Sequence, residues 1–196
     1  MSREQDTGKA RESRVFSYAF AAVAGAAVLA ATLGAGAQPA APDDLLRAVR
    51  LNDLASVGVF LEVGIDANSL DRSGRTALQV AVRYGHLDIA RLLLDSGAGV
   101  DARDADGWTA LHHAAQDGDT DFLRLLVARG ADVEAADPYR YRALHLAARD
   151  GHDAACELLI DVGADANARI DVGFTAADLA ERFPDLRAWL LGHQTR

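Results

Sequence analysis

The stretch "DADGWTALHHAAQDGDTDFLRLLVARGADVEA", residues 104–135, decides the fold of this chain. It carries two short apolar patterns, one before Gly118 and one before Gly130. In the first, Leu111, Ala114 and Ala115 fall on one face of a helix. In the second, Leu125 and Leu126 are the apolar positions of a further helix. Glycine accepts the left-handed backbone that closes a helix, so both patterns stop where a stop is possible. The stretch therefore predicts a helix, a tight stop, a second helix, a second stop and an extended turn.

The same text recurs along the chain. Gly74, Gly107 and Gly173 lie on a 33-residue grid, with Arg140 at the missing step. Gly64, Gly97, Gly130 and Gly163 form a second series, and Leu45, Leu78, Leu111 and Leu144 a third. Ala48, Ala81, Ala114, Ala147 and Ala180 form a fourth. The first helix of each copy stops at Asn52, Gly85, Gly118 or Gly151, and the second helix aligns Leu92, Leu125 and Leu158 beside Leu93, Leu126 and Leu159. One pair of short helices cannot bury its apolar faces alone, so neighbouring copies must stack. The expected fold is an all-α repeat solenoid.

These residues resemble the ankyrin repeat. That family's turn ending D-x-x-G-x-T, its helix opening on A-L-H, its G-H step and its closing L-L-x-x-G-A-D-V are visible in the quoted stretch and its copies, over about residues 43–191. The resemblance implies an elongated, slightly curved stack of helix-turn-helix units with finger turns projecting on one side. Five units are expected, at about 43–70, 71–103, 104–136, 137–169 and 170–191. The first lacks its finger. The last ends after its second helix, with Pro184 expected in the inter-helix turn and Trp189 closing the core. Residues 192–196 form a tail.

A net charge of -9 argues against nucleic acid, because phosphate binding needs a basic surface. A protein partner with a basic or neutral surface is expected instead, and a monomer. Lys9 is the only lysine, and the arginine, alanine, glycine and aspartate content suggests a GC-rich bacterial genome. The single cysteine, Cys156, excludes an intramolecular disulfide and aligns with Ala90 and Leu123 as a small core residue.

Residues 1–37 are a separate object. Arg3, Lys9, Arg11 and Arg14 precede an uncharged run, Val15 to Ala37, that ends Ala35-Gly36-Ala37. A basic start, an apolar run and a small-x-small ending are the parts of a secretory signal. The run is also long enough to cross a bilayer, which takes about 20 residues. Cleavage after Ala37 releases a periplasmic domain. Retention leaves an inner-membrane anchor, joined by the short linker 38–42 to repeats on the periplasmic side. Contact with the membrane is then through residues 15–37 alone.

Six histidines invite a metal reading, but His112 and His145 are one repeat position and His86 and His152 another. In the ankyrin family such histidines hydrogen-bond neighbouring turns, and the spacing offers no tetrahedral ligand set. His113 falls where Val80 and Leu146 stand in other copies and reads as a tolerated polar substitution. No nucleophile elbow or phosphate loop is present. No cofactor, metal or catalytic residue is therefore assigned. The alternative is a cofactor- or metal-bearing accessory subunit of an exported enzyme, built on the histidines.

What remains is surface. The residue after the finger glycine, Arg75, Trp108, Tyr141 or Phe174, is expected to point outward toward the concave face. Aromatics in three successive fingers suggest an interface, or rings that pack on neighbouring fingers. The fourth finger, "PYRYR", puts Arg140 at the glycine step and Arg142 at the threonine, which looks selected for contact. The candidate partner-binding set is Arg75, Arg83, Tyr84, Trp108, Gln116, Tyr139, Arg140, Tyr141, Arg149 and Phe174.

Overall fold

The computed structural model of the chain describes residues 41–194. The apolar run 15–37, the first residues of the linker and the last two residues of the tail lie outside them. Helices follow one another in pairs: α1 (Pro42–Arg50) with α2 (Leu54–Glu62), α3 (Ala77–Arg83) with α4 (Leu87–Asp95), and α5 (Ala110–Asp117) with α6 (Thr120–Ala128). Then come α7 (Ala143–Asp150) with α8 (Asp153–Asp161), and α9 (Ala176–Leu179) with α10 (Pro184–His193). Among the described residues extended pairing is limited to an isolated bridge between Leu70 and Thr76. The odd-numbered helices stack on one another as an inner layer, and α2, α4, α6 and α8 stack as an outer one. This is an all-helical repeat stack.

The leucine and alanine series of the sequence are its core. Leu45, Leu78, Leu111 and Leu144 are buried, as are Ala81, Ala114, Ala147 and Ala180. Alanine at these positions lets inner helices approach closely, and Leu93, Leu126 and Leu159 fill the layer beneath. Truncating one such leucine to alanine costs about 2–5 kcal/mol, because the cavity left behind adds to the lost transfer energy. The C-terminal end departs from expectation. Pro184 is the first residue of α10, not part of a turn, and there its missing N–H removes no bond. Leu186 and Leu190 fill the last core layer, while Trp189 is only partly buried, beside the ring of His193.

The inner helices end as the sequence predicts. Asn52 has φ 56°, and Gly118 and Gly151 have φ 69° and 80°. At the two glycines a side chain is also excluded by space. A Cβ on Gly118 would lie 2.5 Å from the ring of His152, and one on Gly151 would collide with the ring of Phe183.

One side chain, three residues into the inner helix, joins the copies at α3, α5 and α7. In α5, His112 Nδ1 accepts the N–H of Thr109 at 3.1 Å, capping its own helix, while Nε2 meets the carbonyl of Tyr141 in the next turn at 3.1 Å. In α7, His145 takes the N–H of Arg142 at 3.2 Å and reaches Ala168 O at 3.0 Å. In α3 the same work is done by Gln79, whose Oε1 accepts from Thr76 N and whose Nε2 donates to Ala102 O and Trp108 O. Because Nδ1 is the acceptor, Nε2 carries the proton and each imidazole is held neutral.

Burial pushes the pKa of both His112 and His145 below the ordinary value, against the opposing pull of the carbonyls they bond. The unfolded chain therefore binds more protons than the folded chain once pH drops below about 6.5, and stability is lost as pH falls through that range. The unfolding free energy read from urea melts is expected to fall between about pH 7.5 and 5.5, by at most about 1.4 kcal/mol per pH unit for each histidine. Replacing both by glutamine, the residue already used in α3, should keep the bonds and flatten the dependence. A native chain with a flat profile over that range would contradict the neutral-imidazole assignment.

Candidate protein-interaction surface

Each finger is a short turn closed in the same way. Asp71 N donates to Arg75 O, Asp104 N to Trp108 O and Asp137 N to Tyr141 O, at 2.8–2.9 Å. The aspartate carboxylate then organises the turn. Asp104 Oδ1 accepts from Asp106 N and Trp108 N, and Asp137 Oδ1 from Tyr139 N and Tyr141 N. The second oxygen is free to take a different partner in each copy. Asp71 Oδ2 binds Arg50 and Arg75, both at 3.0 Å. Burial alone would raise the Asp71 pKa, but the amides of Arg75 and Ser73 and the Arg75 guanidinium hold it below the ordinary carboxylate range. Asp104 Oδ2 meets His113 Nε2 at 2.8 Å, and Asp137 Oδ2 accepts from Trp108 Nε1 at 3.1 Å.

His113 is thus no idle substitution. Its ring is buried, pairs with Asp104 and packs against Trp108 at a centroid distance of 5.2 Å. The available signal was a histidine on an otherwise apolar helix face nine residues after a finger aspartate. The finger aspartates were visible in the sequence only as turn residues, because nothing in one copy shows what its second carboxylate oxygen will meet.

The outward stripe expected after the finger glycine divides. Arg75 folds back onto Asp71, and Trp108 is half-buried and hydrogen-bonded across to the next finger. Tyr141 is half-buried with its edge toward His145. Phe174 is exposed, as are Tyr84 and Tyr139, the last at 68%. Arg83 is exposed and Arg149, half-buried, pairs with Asp150 at 2.9 Å. An open groove of about 570 Å³ brings together Arg83, Trp108, Gln116, Tyr139, Tyr141 and Arg149, six of the ten candidates. Arg75, Tyr84, Arg140 and Phe174 lie outside its lining.

Arg140 adopts the left-handed backbone at φ 66°, matching Gly74, Gly107 and Gly173. Its N–H bonds Asp137 O at 2.9 Å, as the glycines bond their own finger aspartate or Ile170. The turn is therefore kept and the strain accepted. The same exchange is closed to the preceding finger. A Cβ on Gly107 would lie 2.7 Å from Pro138 of the following finger. Beyond Arg140 the following finger presents Asp171, whose N–H bonds Tyr139 O at 3.1 Å.

Residues 45–137 and 92–170 each match the family model for ankyrin repeats (3 copies). The chain belongs to the ankyrin-repeat family. No curated protein matches it significantly. Ankyrin repeats act as protein-interaction scaffolds, and the family is generally non-catalytic. The histidines of this ankyrin-repeat protein make structural bonds: besides His112 and His145, His152 Nε2 meets Gln116 O at 2.9 Å and His86 Nε2 meets Arg50 O at 3.4 Å. Among the described residues no three histidine, cysteine, aspartate or glutamate side chains converge on a common point suited to a metal. Cys156 is buried, and burial, then the charges of Asp153 and Glu157, push its thiol up to about 12, so it is not a nucleophile at neutral pH.

Two substitutions separate strain from space. Arg140→Gly should stabilise the protein by about 0.5–1 kcal/mol, because glycine adopts positive φ without the Cβ penalty. Gly107→Ala should destabilise it by about 1–2 kcal/mol or more, from the same penalty and the contact with Pro138. Denaturant melts of both check this. A loss of stability in Arg140→Gly would show that the arginine side chain holds the finger.

Proposed function

We propose that this protein is a non-catalytic ankyrin-repeat scaffold that holds another protein outside the cytoplasm, using its finger turns and the ends of its inner helices. The groove carries the reading. It sets the aromatic faces of Trp108, Tyr139 and Tyr141 beside the arginines at the ends of α3 and α7. Aromatic and arginine side chains are those that interfaces favour, and a rigid repeat stack presents them without an ordering cost. Five units, the first and last acting as caps, give the scaffold its extent.

Export is supported by the sequence of residues 1–37, with its basic start, uncharged run and Ala-Gly-Ala ending. Among the described residues no helix is long and apolar enough to cross a membrane, so an anchor would have to be the run 15–37. A phosphatase fused to the C-terminus should be active, and a reporter that works only in the cytoplasm should be dark. The reverse pattern would remove the topology. N-terminal sequencing should then start at Gln38 if the run is cleaved, and an intact chain that resists carbonate extraction would mean anchoring.

Contact is tested on the partner recovered by crosslinking to the full chain in membrane and periplasmic fractions. Tyr139→Ala combined with Tyr141→Ala should weaken its binding about tenfold or more. Unchanged affinity would move the contact surface off the groove.

A further inference from the structure

We infer that the groove takes an extended acidic segment of the partner, with two carboxylates flanking one apolar side chain. This rests on the scaffold reading above and supplies the chemistry of the bound segment.

The inner-helix ends carry a repeat position not explained by packing: Arg50, Arg83, Gln116, Arg149 and Arg182 stand 33 residues apart. Arg50 is tied to Asp71, but Arg83 and Arg182 are exposed and form no ion pair among the described residues. Arg149 is held by the adjacent Asp150 and its side chain is still 37% exposed. Acidic residues outnumber arginines over residues 41–194, and on this negative molecule the row leaves Arg83 and Arg182 without a paired carboxylate among the described residues, while Arg50 and Arg149 each pair with one. Charge summed over the whole chain points to a basic or neutral partner, whereas the groove sorts charge by position, with Arg83 and Arg149 at its ends against Asp106 and the buried Asp137 between them. Like-charge repulsion elsewhere would then align an acidic segment along the row and reject other registers.

The register follows from the middle of the groove. There the arginine is replaced by Gln116, with Asp117 exposed beside it and Asp106 on the finger edge. A carboxylate is repelled at that point and attracted at its two ends. Between the ends lie the half-buried rings of Trp108 and Tyr141, a floor suited to one uncharged side chain. Adjacent inner helices pack about 8–10 Å apart, so Arg83 and Arg149 are separated by two steps, about 16–20 Å. An extended chain covers that in about five or six residues. The bound segment is therefore acidic, apolar, acidic, with the carboxylates about five or six residues apart.

The test is a selection of random displayed peptides of about a dozen residues on the full 196-residue chain. The enriched peptide is then synthesised with a fluorescent label and its affinity measured. Enrichment of paired aspartate or glutamate around a central apolar residue is expected. Affinity should drop at least about tenfold in Arg83→Glu, and should weaken between low and moderate salt. Arg83 makes no ion pair among the described residues, so its exchange should leave the melt unchanged. Exchanging for lysine the one carboxylate that faces Arg83, and keeping the one that faces Arg149, should restore binding to Arg83→Glu, an effect that loss of structure cannot produce. Peptides that bind in the groove but are neutral or basic, or that ignore Arg83→Glu and salt, overturn this inference and leave the scaffold reading standing. If no selected peptide is sensitive to Tyr139→Ala with Tyr141→Ala, both fall together.

Discussion

A side chain with two working ends, placed three residues into the inner helix, holds the copies of this protein together. At His112 and His145 one ring nitrogen satisfies the exposed N–H at the start of its own helix, and the other grips the turn that follows. Local capping and long-range stacking thus use the same residue. A short helix such as α5, eight residues long, is marginal by itself. It becomes stable because its cap is locked from the neighbouring copy. Glutamine keeps both ends in α3, while Asp178 in α9 keeps only the capping half, with its carboxylate on Thr175 N.

The fingers follow a comparable division of labour. One carboxylate oxygen builds the turn, and the other is left to join the turn to something else. Asp71 recruits two arginines, Asp104 a histidine and Asp137 a tryptophan indole. Ile170 replaces this aspartate in the last finger, and the backbone bond from Ile170 N to Phe174 O remains. Removing the carboxylate therefore does not remove the turn. The fingers can diversify their outer residues because the closure is made by backbone bonds, which Arg140 also keeps while accepting the strain of a positive φ.

The polar side chains of this architecture are largely spent on structure. The repeat-position histidines bond backbone, and the cysteine is buried and protonated. The exposed aromatics and the arginine row sit on one rigid frame, so a bound segment would meet groups already in position. Electrostatics on this frame is local. The net charge of -9 does not describe the inner-helix ends, where arginines recur at one repeat position.

The sequence by itself determined the stack. Four residue series at one period identify which positions are core and where each helix stops, since burial and positive φ each admit few residue types. Asn52 and Gly118 could be placed from that rule alone. It could not show that Trp108 bridges to Asp137, that Arg75 turns back to Asp71, or that His113 pairs with Asp104. These depend on the distance between one finger and the next, which is a property of the stack and not of any single repeat. Nor does periodicity reveal direction at the surface: Trp108 and Phe174 occupy the same repeat position, yet one is held inward and the other is exposed. Only the tertiary structure supplies the neighbour that makes that difference, because Trp108 has a following finger with a carboxylate to meet and Phe174, in the last finger, has none.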